Sequence, residues 1–268
     1  MATVVTPART GYVYDNGSGR SADLHRLWRE AYDPITVSRL RGTGVSAGWH
    51  CLEVGAGGGS IAVWLAGRVT PAGSVLATDI DTRQIPAAPG LTVSQHDIAR
   101  DPLPESTFDL IHARTVLCWL PEREAVLRRL VRALKPGGVL QIDEVDTSHT
   151  PPLVTPDDRS RAIYETYLRA KADVWAAAGA DGTWACRVPQ AMHDAGLSGV
   201  DVTSFVEPWH AGSAGLRLQA LHTIHARERF IAAGMSDRQL AEVRSVMGHP
   251  DFRASSTVFY SVQGRCRG

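Results

Sequence analysis

The stretch Cys51-Leu-Glu-Val-Gly-Ala-Gly-Gly-Gly-Ser60 decides how this chain is read. The run from His50 to Val54 is short and mostly apolar, as a buried strand is. It carries one acid, Glu53, and gives way to glycines at 55, 57, 58 and 59. Ile61-Ala-Val-Trp-Leu-Ala66 then begins a helical pattern. A strand that breaks into a glycine turn and restarts as a helix points backbone N–H groups at a ligand. Glycine tolerates the positive φ of such a turn and lets a ligand approach the backbone closely.

Working outward, hydrophobic runs alternate between strand and helix. They predict strands over 50–54, 74–78, 91–94, 108–113 and 139–143, with helices over 60–68, 83–85 (short) and 122–134. Lys135-Pro-Gly-Gly138 closes the last of these helices, because proline cannot continue it and glycine supplies the left-handed turn. Such alternation gives an α/β architecture with a parallel, doubly wound sheet, whose ligands bind at the carboxyl ends of the strands. Before this core, residues 22–40 read as a helix interrupted at Pro34, and residues 1–20 as a polar, turn-rich lead. After residue 146 the pattern predicts helices over 157–178, 215–233 and 236–247, and strands over 200–206 and 257–262.

At 268 residues the chain can bury a full core as one domain with a lid. Formal net charge is zero, with 28 basic and 28 acidic residues, so no charge excess favours nucleic acid or an anionic membrane. Only Lys135 and Lys171 are lysines. The four cysteines, Cys51, Cys118, Cys186 and Cys266, share no metal-ligand spacing and read as reduced thiols of a cytoplasmic protein. No run approaches membrane-spanning length, and residues 1–10 lack a signal peptide's apolar core.

A dinucleotide fingerprint counted from Gly55 requires glycine at position 60, where Ser60 stands. The pattern present is acid-x-Gly-x-Gly-x-Gly, from Glu53 to Gly59. It resembles the first motif of class I S-adenosylmethionine (SAM)-dependent methyltransferases. Acids then recur in order at the next strand ends: Asp79, 26 residues after Glu53, and Asp97 in Gln95-His-Asp-Ile98. Each acid alone also reads as a helix cap or loop residue. Phe108-Asp-Leu-Ile-His-Ala-Arg114 and Leu134-Lys-Pro-Gly-Gly-Val-Leu140 resemble the family's fourth strand and the turn into its fifth. The resemblance covers about residues 50–145, and Tyr12-Val-Tyr-Asp-Asn16 with residues 52–57 is similar to bacterial small-molecule members.

The resemblance implies a Rossmann-like seven-stranded sheet with its last strand antiparallel, an N-terminal helical cap and helical insertions. It divides one domain, 1–268, into a cap (1–48), a SAM-binding core (49–145) and substrate-lid helices (146–190 and 208–250). It implies that Glu53, Gly55, Ala56, Gly57 and Gly59 surround the methionine end of SAM, and that Asp79, beside Ile80, takes both ribose hydroxyls. Asp97 would accept from the adenine amine, with Ile98 packed near the ring. Ala113 and Arg114 would pass beneath the methyl group. Tyr14, with Tyr12, either folds over the SAM carboxylate or packs on the domain as an ordinary tail, and Arg20 is a further candidate for that carboxylate.

Acceptor and base are less constrained. Tyr164, Tyr167, Trp119, Trp209 and His225, with Trp175 and Trp184, would suit a flat apolar acceptor, although aromatics at helical spacing also build cores. Glu144, His112 and His222 are candidate catalytic groups, followed by Asp146 and His210. His222 and His225 lie one turn apart, but no third ligand completes a metal site, so none is expected. Transfer of a methyl group to O, N or C of a small, aromatic secondary metabolite is the leading reading, with S-adenosylhomocysteine (SAH) as product. The alternatives are a SAM-binding cyclase, regulator or partner subunit, and a nicotinamide-dependent oxidoreductase. The expected partner is a small-molecule acceptor, neither nucleic acid nor membrane, in a monomer or homodimer.

Overall fold

The computed structural model describes residues 21–267. It opens on α1 (Ser21–Gly42), a single helix that runs through Pro34. The expected interruption is absent because Pro34 is exposed, which leaves its ring and missing N–H on the solvent side. Leu24, Leu27, Tyr32, Thr36 and Leu40 on the other side are buried and hold the helix down. The core follows as β1 (His50–Val54), α2 (Ser60–Val69), β2 (Ser74–Asp79), β3 (Leu91–Gln95), β4 (Phe108–Arg114), α3 (Arg123–Ala133) and β5 (Leu134–Asp146). The remainder comprises β6 (Pro152–Val154), α4 (Asp158–Ala177), α5 (Trp184–Asp194), β7 (Ser198–Phe205), β8 (Pro208–His210), α6 (Ala214–His225), α7 (Arg227–Ala232), α8 (Asp237–Met247), β9 (Arg253–Ser255) and β10 (Val258–Arg265).

Seven strands form one sheet in the order β3-β2-β1-β4-β5-β10-β7. Strands β1 to β5 pair in parallel, while β10 is antiparallel to both β5 and β7. This is the doubly wound sheet with an antiparallel last strand that the sequence predicts. The strand order reverses beside β1, so the glycine turn opens at the switch point, where ligands bind in sheets of this kind.

The structure corrects several local readings. Residues 83–85 form no helix: Arg83 turns back so that its guanidinium pairs with Asp81. Lys135 to Gly138 lie inside β5, because α3 passes directly into that strand and the extra residues are absorbed by a register shift against β4. The helix expected over 215–233 divides into α6 and α7 at Ala226. Neither α5 nor the small sheet β6-β9-β8 was visible in the periodicity.

Three apolar clusters organise the packing. One lies between α2, the back half of α1 and β1 and β2, and includes Leu40, Leu65 and Val75. A second joins α3 and α5 to the sheet through Leu127, Leu130, Val188 and Met192. The third is a helical lid in which the front of α1 meets α4, α6, α7 and α8 through Leu27, Tyr167, Leu218, Phe230 and Val243. Residues 184–190, read as lid, instead belong to α5 on the sheet.

Candidate active site

The carboxyl ends of β1, β2, β3 and β4 face the lid across a cavity of about 970 Å³. Its core-side wall includes Gly55, Ala56, Gly57, Asp79, Ile80, Asp97, Ile98 and Arg114. These eight sequence-predicted positions are therefore brought together by the ends of consecutive strands. Gly57 has φ +53, and a Cβ there would stand 3.0 Å from the His25 ring, so the turn has no room for a side chain. Gly55 has φ +66, and a Cβ would lie 2.3 Å from Val116. Thr115, beside Arg114, is a β-branched residue held at φ 50, a costly conformation that brings its backbone to the cavity wall.

Asp79 braces the glycine turn. Its Oδ2 accepts the Gly57 N–H at 2.8 Å and its Oδ1 accepts the Asp81 N–H at 3.0 Å. Burial raises its carboxyl above the usual range, while those two hydrogen bonds and His25 oppose the shift. The Asp97 side chain accepts the Ala99 N–H at 2.9 Å, and the Ile98 carbonyl accepts from Arg129. The Arg114 guanidinium pairs with Asp33 at 2.9 Å and donates to Thr36 Oγ1 at 3.2 Å.

Other predicted residues stand elsewhere. Glu53, Gly59 and Ala113 do not border the cavity, and Tyr14, with Tyr12 and Arg20, lies outside the described residues. Glu53 turns into the layer beneath α1 and meets His112 Nδ1 at 2.7 Å, while His112 Nε2 meets Asp143 at 3.2 Å. Burial opposes the imidazolium, but Glu53 and Asp143 on either side hold its pKa up to about 9. His112 is thus a charged clamp between two carboxylates, with no exposed surface, and not a base facing an acceptor. Glu144 also misses the cavity. Its Oε1 accepts the Leu117 and Cys118 N–H groups at 2.9 and 3.2 Å, capping the short turn Leu117–Trp119, and burial pushes its carboxyl up to about 7. Of the three candidate catalytic groups, His222 alone borders the cavity. Burial, with the charges of Lys171 and His225, pushes it well below its ordinary value, so it is neutral.

The lid side of the cavity includes Trp28, Trp119, Trp175, Leu218 and Gln219. Of the acceptor-binding candidates, Trp119 and Trp175 thus stand in the wall. Tyr164 packs edge-on against Phe252 at 4.9 Å, and Trp209 lies over Gly215, where even a Cβ would overlap its ring. Tyr167 donates its hydroxyl to Gln219 Oε1 at 2.8 Å from behind the wall, and His225 does not line it. Trp184 is buried against the sheet, with Arg123 and Arg187 over its ring. Sequence reasoning missed His25, whose ring covers the glycine turn, and Lys171. His25 left no linear signal. Lys171 did: it sits four residues after Tyr167 and three before Val174, on the apolar face of α4.

Among the described residues, no group of three or more His, Cys, Asp or Glu side chains could hold a metal ion, and no helix is long and apolar enough to cross a membrane.

The fold is Rossmann-like, and the fold and cleft together resemble those of class I SAM-dependent methyltransferases. Residues 52–142 match the family described as a methyltransferase domain. A methyltransferase, Str2, of Strobilurus tenacellus is 42% identical over 99 residues, which cover 35% of each chain. The ubiquinone/menaquinone biosynthesis C-methyltransferase UbiE of Laribacter hongkongensis is 30% identical over 139 residues, 49% of this chain and 54% of that protein. The match therefore spans about half or less of these relatives' length. Among solved structures, Haemonchus contortus phosphoethanolamine N-methyltransferase 2, in complex with phosphomonomethylethanolamine and SAH, superposes with a TM-score of 0.59 at 14% identity. That likeness covers 92% of this chain and 57% of the other, and at such identity it speaks for the fold.

Proposed function

We propose that this protein binds SAM along the core side of the cavity and methylates a small, flat acceptor held on the lid side. The observation that carries this reading is the continuity of one cavity from the Gly55–Gly57 turn and Asp79 to Trp119 and Trp175. About 970 Å³ lies at the upper end of the usual range for small-molecule sites, room for a cofactor with a modest second molecule. The residues fit the group. A turn that excludes side chains leaves space for the methionine end, and a desolvated carboxylate at the end of β2 suits a pair of ribose hydroxyls. Asp97 and Ile98 supply a hydrogen-bond acceptor and an apolar contact for adenine, and Arg114 a cation for the cofactor's carboxylate.

Bound SAM supplies an electrophilic methyl group. The chain contributes placement and exclusion of water: the lid closes the cleft, and the aromatic wall fixes a flat acceptor for in-line displacement. Burial, with the charges of Lys171 and His225, keeps His222 neutral and disfavours its protonated form, which makes it a weak base toward an acceptor hydroxyl. A neutral amine or an electron-rich carbon needs placement alone. The similarity to UbiE, named for ubiquinone and menaquinone biosynthesis, supports a small-molecule acceptor.

Calorimetric titration with SAM, SAH and NADH tests the reading. SAM and SAH are expected to bind with micromolar affinity and NADH not at all. Asp79→Ala is expected to weaken SAM binding at least about tenfold, since a charge-assisted contact contributes ~1.5–3 kcal/mol. Unchanged affinity in a folded Asp79→Ala variant, or binding of NADH, would overturn the assignment.

A further inference from the structure

Lys171 is the least expected residue in the wall of the cavity. It projects from α4, is 6% exposed, and meets no carboxylate within ion-pair distance among the described residues. Its Nζ donates to Gln219 Oε1 at 2.7 Å and stands 5.7 Å from the centre of the Trp175 ring. Gln219 is itself held in place by the Tyr167 hydroxyl. Lys171 lines the cavity beside the neutral His222, with no carboxylate close enough to pair with it among the described residues. A buried cation without a counter-ion is costly, and a methionine of similar length would fill the space more cheaply. Burial pushes the Lys171 pKa down to about 8, the physical signature of that missing partner.

We propose that Lys171 is the recognition residue for an acidic oxygen on the acceptor, so that the substrate is a flat molecule carrying a carboxylate, phenolate or enolate. The anion completes the half-made site: Lys171 is directed by Gln219, which Tyr167 orients, and the acceptor's ring lies against Trp175 and Trp119. A desolvated Lys–oxyanion pair is much stronger than an exposed one. It therefore fixes one end of the acceptor while the nucleophilic atom is presented across the cavity. This inference rests on the reading of the lid side as the acceptor site.

The composition offers a clean probe. Lys135 and Lys171 are the only lysines, and Lys135 sits on the opposite part of the sheet, paired with Asp109 at 2.8 Å. Protein labelled with 13C-lysine and saturated with SAH would show two lysine side-chain signals, with Lys171 assigned by its loss in Lys171→Met. Titrations with 2-naphthoate against naphthalene-2-carboxamide, and with 2-naphthol against 2-methoxynaphthalene, compare each acid with a neutral partner of nearly the same shape. The expected result is at least about tenfold tighter binding of one acid than of its partner, with a shift of the Lys171 signal toward the protonated form. The Lys171→Met variant is expected to lose that preference while keeping its SAH affinity. A preference for naphthoate identifies a carboxylate, and one for naphthol a phenolate. If no acid outbinds its neutral partner, or if the preference survives in Lys171→Met, the proposal falls. SAH affinity is read independently: an acid preference without SAH binding would keep the lysine site and overturn the methyltransferase reading instead.

Discussion

The residue with the most consequences outside the cavity is His112. Register fixes its role, since Glu53 stands directly opposite it on β1 while Asp143 comes from β5 on its other side. Folding raises its pKa from the ordinary 6.5 to about 9, so its stabilising contribution is complete below pH 6.5 and is lost as pH rises through about 9. We expect unfolding free energy measured by urea titration to fall by up to about 3 kcal/mol over that window. His112→Asn should lower stability at neutral pH by ~3–5 kcal/mol, because two buried carboxylates lose their common cation, and it should flatten the alkaline slope. A stable variant with an unchanged slope would show that the ring is neutral. The sequence disclosed the acids at 79 and 97, whose meaning comes from their place at strand ends. It concealed the roles of Glu53, His112 and Glu144, whose partners are set by pairings between strands far apart in the chain. A histidine at a strand end looks the same whether it faces a cleft or a carboxylate.

Among the elements, α1 links the lid to the sheet. Its front half contributes Leu24 and Leu27 to the lid and sets His25 against the glycine turn. Its back half docks through polar contacts: Thr36 donates to Asp143 Oδ2 at 2.7 Å and accepts from Arg114, while Gln263 on β10 donates to the Arg39 carbonyl at 2.7 Å. Thr36 is completely buried, so Thr36→Val should cost about 2 kcal/mol by removing a hydrogen bond to a charged acceptor. Chemical denaturation would read this directly, and a neutral substitution would mean that the seam contributes no stability. The helix was legible from its apolar stripe, but its passage through Pro34 was not, since that depends on the proline facing solvent. The three-residue strands β6, β8 and β9 were illegible for another reason: too short to alternate, they exist only through pairing with one another.

At the scale of the whole molecule, the doubly wound, seven-stranded sheet and its antiparallel last strand followed from the alternation of strand and helix together with the family resemblance. The shape of the lid did not, because helix periodicity reports which face is buried and not what it is buried against. Tyr164, Tyr167 and Trp209 illustrate this: all three are inward-facing, yet all serve the packing of the lid while the cavity takes Trp119, Trp175 and Lys171. The proposed ligand would touch both the sheet ends and the lid, so its binding should stabilise the fold as a whole. At one hundred times its dissociation constant, SAH would add about 2.7 kcal/mol. For a chain of this size that corresponds to a rise of roughly 5–10 °C in Tm by differential scanning fluorimetry. At the same SAH concentration, Asp79→Ala, with affinity about tenfold weaker, should show about half that rise, since the stabilisation depends on the logarithm of occupancy. A protein that gains no stability from SAH, or gains it equally from NADH, would not be using this cleft as a SAM site.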